Sequence, residues 1–345
     1  MAAFDICYRA VVEIDALDRR IVSCLAVDGR ASFSQIAEIL GVSDQTVARR
    51  YRRLRAEGAI RVVGLRGKRA MLSLGWMVHL RCVPGSGPPI AETLARRPDT
   101  AWVQLLSGDT EVLCTVRGAA AERDAVLAKL PRGGRVVAVS AHRLLHRYVA
   151  AVGGLGFLRT LSQDQEAALR RPVRQEMLEL AELDLALLRE LGVDGRTSHA
   201  ELAKAVGWSE STVRRRMDQL REAGMLHYDL ELDLPAFGFH APTWLRMSVP
   251  PSELAATGAA FAGFPEVAWA AAVTGAFNLL VAAVCRDEEQ FYEFLTSRVG
   301  SLRSVDRMET SPIIRTLKQS SPVLTPSRTA SANAETTGFR RVPVR

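Results

Sequence analysis

Residues 17–60, LDRRIVSCLAVDGRASFSQIAEILGVSDQTVARRYRRLRAEGAI, return at 183–226 as LDLALLRELGVDGRTSHAELAKAVGWSESTVRRRMDQLREAGML. The offset is 166 residues without a gap, and 18 of the 44 aligned positions are identical. Asp28-Gly29-Arg30, Gly41, Ser43, Thr46-Val47, Arg49-Arg50, Leu54-Arg55 and Gly58 all recur. In the first copy Leu17, Ile21, Val22 and Leu25 fall at helical spacing, and Gly29 is expected to end that helix as a left-handed residue. Ser32 with Gln35, and Ser198 with Glu201, read as capping boxes opening a short second helix that stops at a glycine. Ser43 and Ser209 are placed to cap a third helix, with Val47 and Leu54 facing inward.

Two helices joined by a tight glycine turn, the second carrying polar residues and arginines, form the helix-turn-helix pattern. Such a helix points backbone donors at phosphate, short polar side chains at base edges and arginines at phosphate or guanine. The DNA-contact candidates are therefore Ser43, Gln45, Thr46, Arg49, Arg50 and Arg53, and in the second copy Ser209, Ser211, Thr212, Arg214, Arg215 and Arg216. Residues 59–65 and 225–232 read as strands, expected to form a wing beside each helical unit.

The repetition continues beyond the helices. Strand-like segments 76–83 and 243–249 each lead into a helical stretch, 90–97 and 254–261. Then 101–108 matches 268–275, and apolar strands 112–116 and 279–284 follow. A second helix (119–130; 288–299) and a last strand (136–140; 305–310) complete each copy. The expected fold class is α+β: two winged helix-turn-helix domains (14–66, 183–234), each followed by a ferredoxin-like β-α-β-β-α-β domain (67–146, 235–319). Residues 147–182 read as a partly helical linker and 320–345 as a disordered tail, polar and rich in Ser, Thr and Pro.

The chain has 345 residues and a formal net charge of +7, carried by arginine with only four lysines, which favours a polyanionic partner. No apolar run is long enough to span a membrane, and the N-terminal stretch lacks a basic-then-apolar secretory pattern, so a cytoplasmic location is expected. The five cysteines have no C-x-x-C pairing and sit in apolar stretches, as expected of buried free thiols. His142 and His146 have chelating spacing but no third ligand type between them; no metal and no cofactor are expected.

Leu17-Asp18 opening the first helix, an S-x-x-x-V-x-x-R run in the third (Ser43, Val47, Arg50; Ser209, Val213, Arg216) and Gly58-Ala59-Ile60 resemble the Lrp/AsnC transcriptional regulators. The resemblance covers roughly 14–146 and 180–318. It implies double-stranded DNA as partner, homo-oligomers built through the ferredoxin-like domains, and a small-molecule effector of the amino-acid class. It places that effector near a T-G-x-x-D hairpin, here Gly108 with Glu111, and Gly275 with Asn278. Neither copy keeps the aspartate.

Two other readings share these features. Siroheme decarboxylases resemble the same outline but carry a His-Asn-Tyr-x-Arg type run, where this chain has Val103-Gln104-Leu105-Leu106-Ser107 and Ala270-Ala271-Ala272-Val273-Thr274. Those strands offer neither cationic clamps nor an acid, so the expectation is that the chain is not an enzyme. A non-sensing architectural protein would bind DNA with weak sequence discrimination. The favoured reading is a sequence-specific regulator whose two recognition helices differ, at Gln45/Ser211, Ala48/Arg214 and Arg53/Gln219.

Overall fold

A computed structural model describes residues 13–67, 75–116, 134–149, 156–174, 176 and 178–320. The first helical unit consists of α1 (Ala16–Val27), α2 (Phe33–Leu40) and α3 (Asp44–Ala56), followed by β1 (Ile60–Arg66). Asp15 and Asp18 cap α1 reciprocally, Ser32 accepts from the Gln35 amide at the start of α2, and Gly41 ends α2 at φ +69°. Gln35 does not close the expected box; its side chain donates to the Ala168 carbonyl instead. Next come β2 (Trp76–Cys82), α4 (Gly87–Ala95), β3 (Thr100–Leu106), β4 (Glu111–Val116) and β5 (Val136–Val149). The helix expected at 119–130 lies outside the described residues.

Helix α5 (Gln163–Leu169) leads into the second helical unit of α6 (Glu182–Val193), α7 (His199–Val206), α8 (Glu210–Glu222) and β6 (Leu226–Leu232). Here Ser198 and Glu201 do form the full capping box. The remainder runs β7 (Ala241–Ser248), α9 (Leu254–Phe261), β8 (Val267–Val273), β9 (Leu279–Cys285), α10 (Glu288–Glu293) and β10 (Arg307–Lys318). Beyond α10 the helical path loosens into a π turn at Phe294–Arg298 and a 3-10 turn at Val299–Ser301.

The expected wings are replaced by a joint ribbon. Strands β1 and β6 do not fold back within their own units; they pair with each other, antiparallel, from Ile60↔Leu232 to Arg66↔Leu226. The centre of the register is Val63↔Asp229, two positions related by the same 166-residue offset, so a local twofold axis passes through this pair. Among the described residues neither strand has a partner in its own unit, and the equivalent strand of the other copy satisfies the backbone groups along one edge. The apolar faces of both units consequently merge: Ile21, Leu25, Val47 and Leu54 share one core with Leu187, Leu191, Val213 and Leu220.

The glycine of each Asp-Gly-Arg turn explains how closely the units approach. Neither Gly29 nor Gly195 has the left-handed conformation expected of a helix terminus; Asp28 and Asp194 are the capping residues. A Cβ on Gly29 would lie 2.8 Å from Val62 Cγ1 and 2.9 Å from Tyr228 Cβ, and one on Gly195 would lie 2.9 Å from the Val63 carbonyl carbon. The space, and not φ, demands glycine. Through this contact Arg30 Nη1 donates to the carbonyls of Gly195 and Thr197 at 2.9 and 3.1 Å. Arg196 Nη1 returns the bond to Gly29 and Ala31 at 2.7 and 3.1 Å.

The other strands close into an eight-stranded barrel, in the order β10-β3-β4-β2-β5-β8-β9-β7. Strands β5 and β10 run well past the expected ends at 140 and 310, because each pairs with its own sheet (β2 or β7) and then with the other copy's (β8 or β3). Val78, Leu80 and Val103 pack in one cluster with Ile90 and Leu94 of α4; Leu245, Met247 and Val281 pack in another with Phe261. Met77, Leu113, Leu144, Trp244, Val273 and Leu280 form a separate cluster between the two sheets, which Trp269 joins in an edge-on contact with Trp244.

The segment read as a linker is anchored. Leu158 and Leu169 are buried in the helical core, and Thr160 and Gln165 bond to Ser23 and to the Ile39 carbonyl. Of the stretch read as a tail, Ser320 is buried and donates to Asp229, and residues 321–345 lie outside the described residues. Cys24, Cys82, Cys114 and Cys285 are buried free thiols; Cys7 lies outside the described residues. Among the described residues no helix is long and apolar enough to cross a membrane, and no group of three metal-ligating side chains is found. We predict that Gly195→Ala destabilises the chain by about 2 kcal/mol through overpacking, read as a lower urea midpoint; an unchanged midpoint would mean the turn is not tightly packed.

Candidate nucleic-acid interface

Helices α3 and α8 are the second helices of the two helix-turn-helix units. Ser43 accepts from the Thr46 amide and Ser209 from the Thr212 amide, each at 3.2 Å, so both serines are occupied in starting their helices. Their hydroxyls also bond to those of Thr46 and Thr212, and Ser209 to Ser211. The inward faces are Val47, Tyr51 and Leu54 on α3 and Val213, Met217 and Leu220 on α8. Gln45, Arg49 and Arg52 face solvent on α3, and Ser211, Arg214, Arg215 and Gln219 on α8.

Three arginines chosen from the sequence as DNA contacts are paired with carboxylates of the first helix or its cap while staying partly exposed. Arg50 pairs with Asp15 at 2.5 Å and with Asp18 at 3.0 Å, and Arg53 pairs with Asp18 at 2.5 Å. In the second copy Arg216 grips both oxygens of Asp184 at 2.7 Å. Asp18 and Asp184 are wholly buried near the start of the first helix of each unit, and each also accepts into its helix cap. A buried carboxylate needs a charged, hydrogen-bonded partner, and these arginines supply it. They lock the recognition helix to the first helix. The signal was present in the sequence, since Asp18/Arg50 and Asp184/Arg216 share a spacing of 32 residues.

A second set ties the recognition helices across the copies. Arg55, near the end of α3, pairs with Asp194 of the second turn, and Arg221 pairs with Asp28 of the first at 2.8 Å. Sequence reading passed over Asp28, Asp194, Arg30, Arg196, Arg55 and Arg221 as interface residues, although all six recur at the repeat offset.

What remains facing outward differs in charge. On α3 two arginines, Arg49 and Arg52, stand against one carboxylate, Asp44. On α8 Arg214 and Arg215 stand against Glu210, Asp218 and Glu222, and Arg214 is paired with Glu210 at 3.3 Å.

The hairpins marked for an effector are both engaged internally. Gly108 adopts φ +65° and Gly275 φ +115°, and a Cβ on Gly275 would meet the His142 ring at 2.6 Å. Glu111 lies between the sheets, 2.8 Å from His79 Nε2 and 3.1 Å from Ser311 Oγ, with the Arg246 guanidinium at 3.6 Å. These partners, His79 first, hold its carboxyl below the usual carboxylate range. Asn278 instead clamps one backbone site, donating to the Val249 carbonyl at 2.8 Å and accepting from its amide at 3.0 Å. His142 Nδ1 lies 2.6 Å from the Thr274 carbonyl, and His146 packs edge-on against Tyr148, so neither histidine faces the other as a ligand pair.

An AsnC-type helix-turn-helix domain model matches residues 14–55 and again 180–221, and an Lrp/AsnC ligand binding domain model matches 244–323. The leucine-responsive regulatory protein of Rhizobium meliloti is 31% identical over 150 residues, covering 42% of this chain and 96% of that protein. The chain belongs to the Lrp/AsnC family. An uncharacterized HTH-type transcriptional regulator of Pyrococcus horikoshii is 29% identical over 135 residues, 39% of this chain and 85% of that one. Among solved structures, the siroheme decarboxylase NirDL superposes with a TM-score of 0.58 at 15% identity, covering 87% of this chain and 92% of that chain. At this identity the likeness is one of fold. As a member of the Lrp/AsnC family, the chain is a transcriptional regulator with DNA-binding helix-turn-helix units and a ligand-binding domain.

Hydrogen bonds from Arg216 hold the Asp184 carboxyl below its ordinary value. Such a group contributes stability that is present above its unfolded pKa, about 3.9, and lost as pH falls through the lower folded value. Asp184→Asn is expected to cost ~2 kcal/mol at neutral pH, short of the ~3–5 of a fully buried pair, because the Arg216 side chain is 24% exposed. In urea melts the deficit should shrink below pH about 4; a pH-independent deficit would contradict the pairing.

Proposed function

We propose that one chain acts as the equivalent of a regulator dimer and reads a DNA site with two unlike halves. The observation that carries this is the local twofold at Val63↔Asp229, about which α3 and α8 are equivalent. The proposed division keeps a helix-turn-helix unit before each ferredoxin-like unit, but with the barrel shared between them. Direct contacts are assigned to Gln45, Thr46 and Arg49 and to Ser211, Thr212, Arg214 and Arg215, with Ser43 and Ser209 acting through their helix starts. Arg50, Arg53 and Arg216 are assigned to positioning.

The α3 face, with arginines in excess, would supply most of the sequence-independent phosphate affinity, and the acidic α8 face would contribute more through base contacts. Of the two hairpins only Glu111 keeps a carboxylate for an effector of the family's amino-acid class, which would have to compete there with His79, Ser311 and Arg246, while the Asn278 amide is spent on Val249. Among the described residues the barrel strands are all paired on both sides, so chains that associate would not do so by extending the barrel. We read the likeness to a decarboxylase as shared architecture: Gln104, in the strand where that enzyme class carries its run, accepts from Trp244 Nε1 at 2.7 Å and donates to Thr316.

Selection of bound duplexes from a random pool, followed by binding at several salt concentrations, tests this reading. Arg49→Ala should weaken binding to all sequences and reduce the salt slope by about one unit, whereas Arg215→Ala should alter preference at one half-site. A perfect palindrome with equal effects of the two substitutions would overturn it.

A further inference from the structure

We propose that a cavity between the two helix-turn-helix units binds a small phosphate-bearing anion. The cavity measures about 360 Å³ and is lined by Arg30, Arg171, Arg196, Arg214, Arg221 and His199, with Asp218 and Met217. It is built from α8, the two Asp-Gly-Arg turns, the start of α7 and the segment before α6.

Its charge is not balanced from within. Arg30 and Arg196 spend their Nη1 bonds on backbone carbonyls, which satisfy donors without neutralising a cation. Arg171 and Arg221 share the single carboxylate of Asp28, at 3.3 and 2.8 Å. Arg214 has Glu210, and Asp218 adds one more negative charge. The five arginines of the lining, with Arg55, are therefore set against Asp28, Glu210, Asp218 and Asp194, an excess of two. A phosphate group carries about −1.5 to −2 at neutral pH, and guanidiniums match its oxygens in paired hydrogen bonds.

In the equivalent place of the first copy two aromatic rings cover the crossing arginine: Phe33 and Tyr51, 5.3 Å apart, lie over the Arg196 guanidinium at 4.5 and 5.1 Å from their ring centres. At the repeat offset, Phe33 becomes His199, Tyr51 becomes Met217 and Ala48 becomes Arg214. Two rings are thus lost and a guanidinium is gained on one side only. Arg30 rests instead on the buried Tyr228 ring, at 5.7 Å. The cavity touches both turns that join the copies, so an anion there would tie the α8 unit more firmly to the α1 unit.

The proposal concerns a ligand and stands apart from the reading of DNA contacts, since pyrophosphate binding can fail while the duplex still binds. The test is calorimetric titration of the full chain with sodium pyrophosphate at constant ionic strength, beside duplex binding. The double variant His199→Phe/Met217→Tyr restores the residues of the first copy and should fill the cavity. The parent is expected to bind one pyrophosphate per chain, and the variant to bind it at least about tenfold more weakly. Retained duplex affinity in the variant then assigns the site to a free phosphorylated molecule; a matching loss assigns it to a phosphate of the DNA backbone. Arg214→Ala, which reproduces Ala48, provides a second variant expected to weaken pyrophosphate binding. Equal binding by parent and variants, or none by the parent at millimolar concentration, overturns the proposal.

Discussion

Everything in this molecule depends on the reciprocal exchange at the two Asp-Gly-Arg turns. Each arginine crosses to the other copy's turn and donates to two backbone carbonyls, and each glycine allows the opposite ribbon to come within contact distance. Each aspartate receives the terminal arginine of the other copy's recognition helix. Three residues thus perform three separate tasks at one contact. All three recur in both copies at the repeat offset.

The second constraint lies inside each unit. A buried carboxylate in the first helix, Asp18 or Asp184, holds the arginine one turn or more into the recognition helix. Its desolvation is offset only while the pair is intact. The position of the reading helix is thereby tied to the stability of the unit, through Arg50 and Arg53 in the first copy and Arg216 in the second. The barrel adds a third joint, since β5 and β10 each pair with strands of both copies. Ribbon, turns and barrel together couple the two halves at separate places along the chain.

Much of this was legible from the repeat. Helix starts at Ser32, Ser43, Ser198 and Ser209 follow from hydroxyl capping, and the glycine ends at Gly41 and Gly207 follow from a left-handed cap. The strands of the second half followed from their apolar runs and from their match to the first copy. Periodicity does not report which strand a strand pairs with, so residues 59–65 and 225–232 were read as wings when they form one ribbon. The same limit hid the true lengths of β5 and β10, whose distal halves pair only with the other copy. Gly29 was misread for a related reason: a glycine after a helix suggests φ > 0, but a neighbour from 30 to 200 residues away required the space. Among the candidate contacts, Gln45, Arg49, Arg214 and Arg215 face solvent as expected, whereas Arg50, Arg53 and Arg216 were taken up by carboxylates on another helix.

Divergence between the copies follows from fusion. In a pair of identical chains, any change falls on both halves of the interface at once. Here Phe33 and Tyr51 can stay while their counterparts become His199 and Met217, and Glu111 can stay charged while its counterpart becomes Asn278. The central claim is that one chain presents both reading helices to one DNA site. Native mass spectrometry of the chain with a selected duplex, alongside a footprint over a range of protein concentrations, measures this directly. The account predicts one chain per duplex protecting two half-sites that fill together at every concentration. Two chains per duplex, with the second half-site filling only as concentration rises, would contradict it.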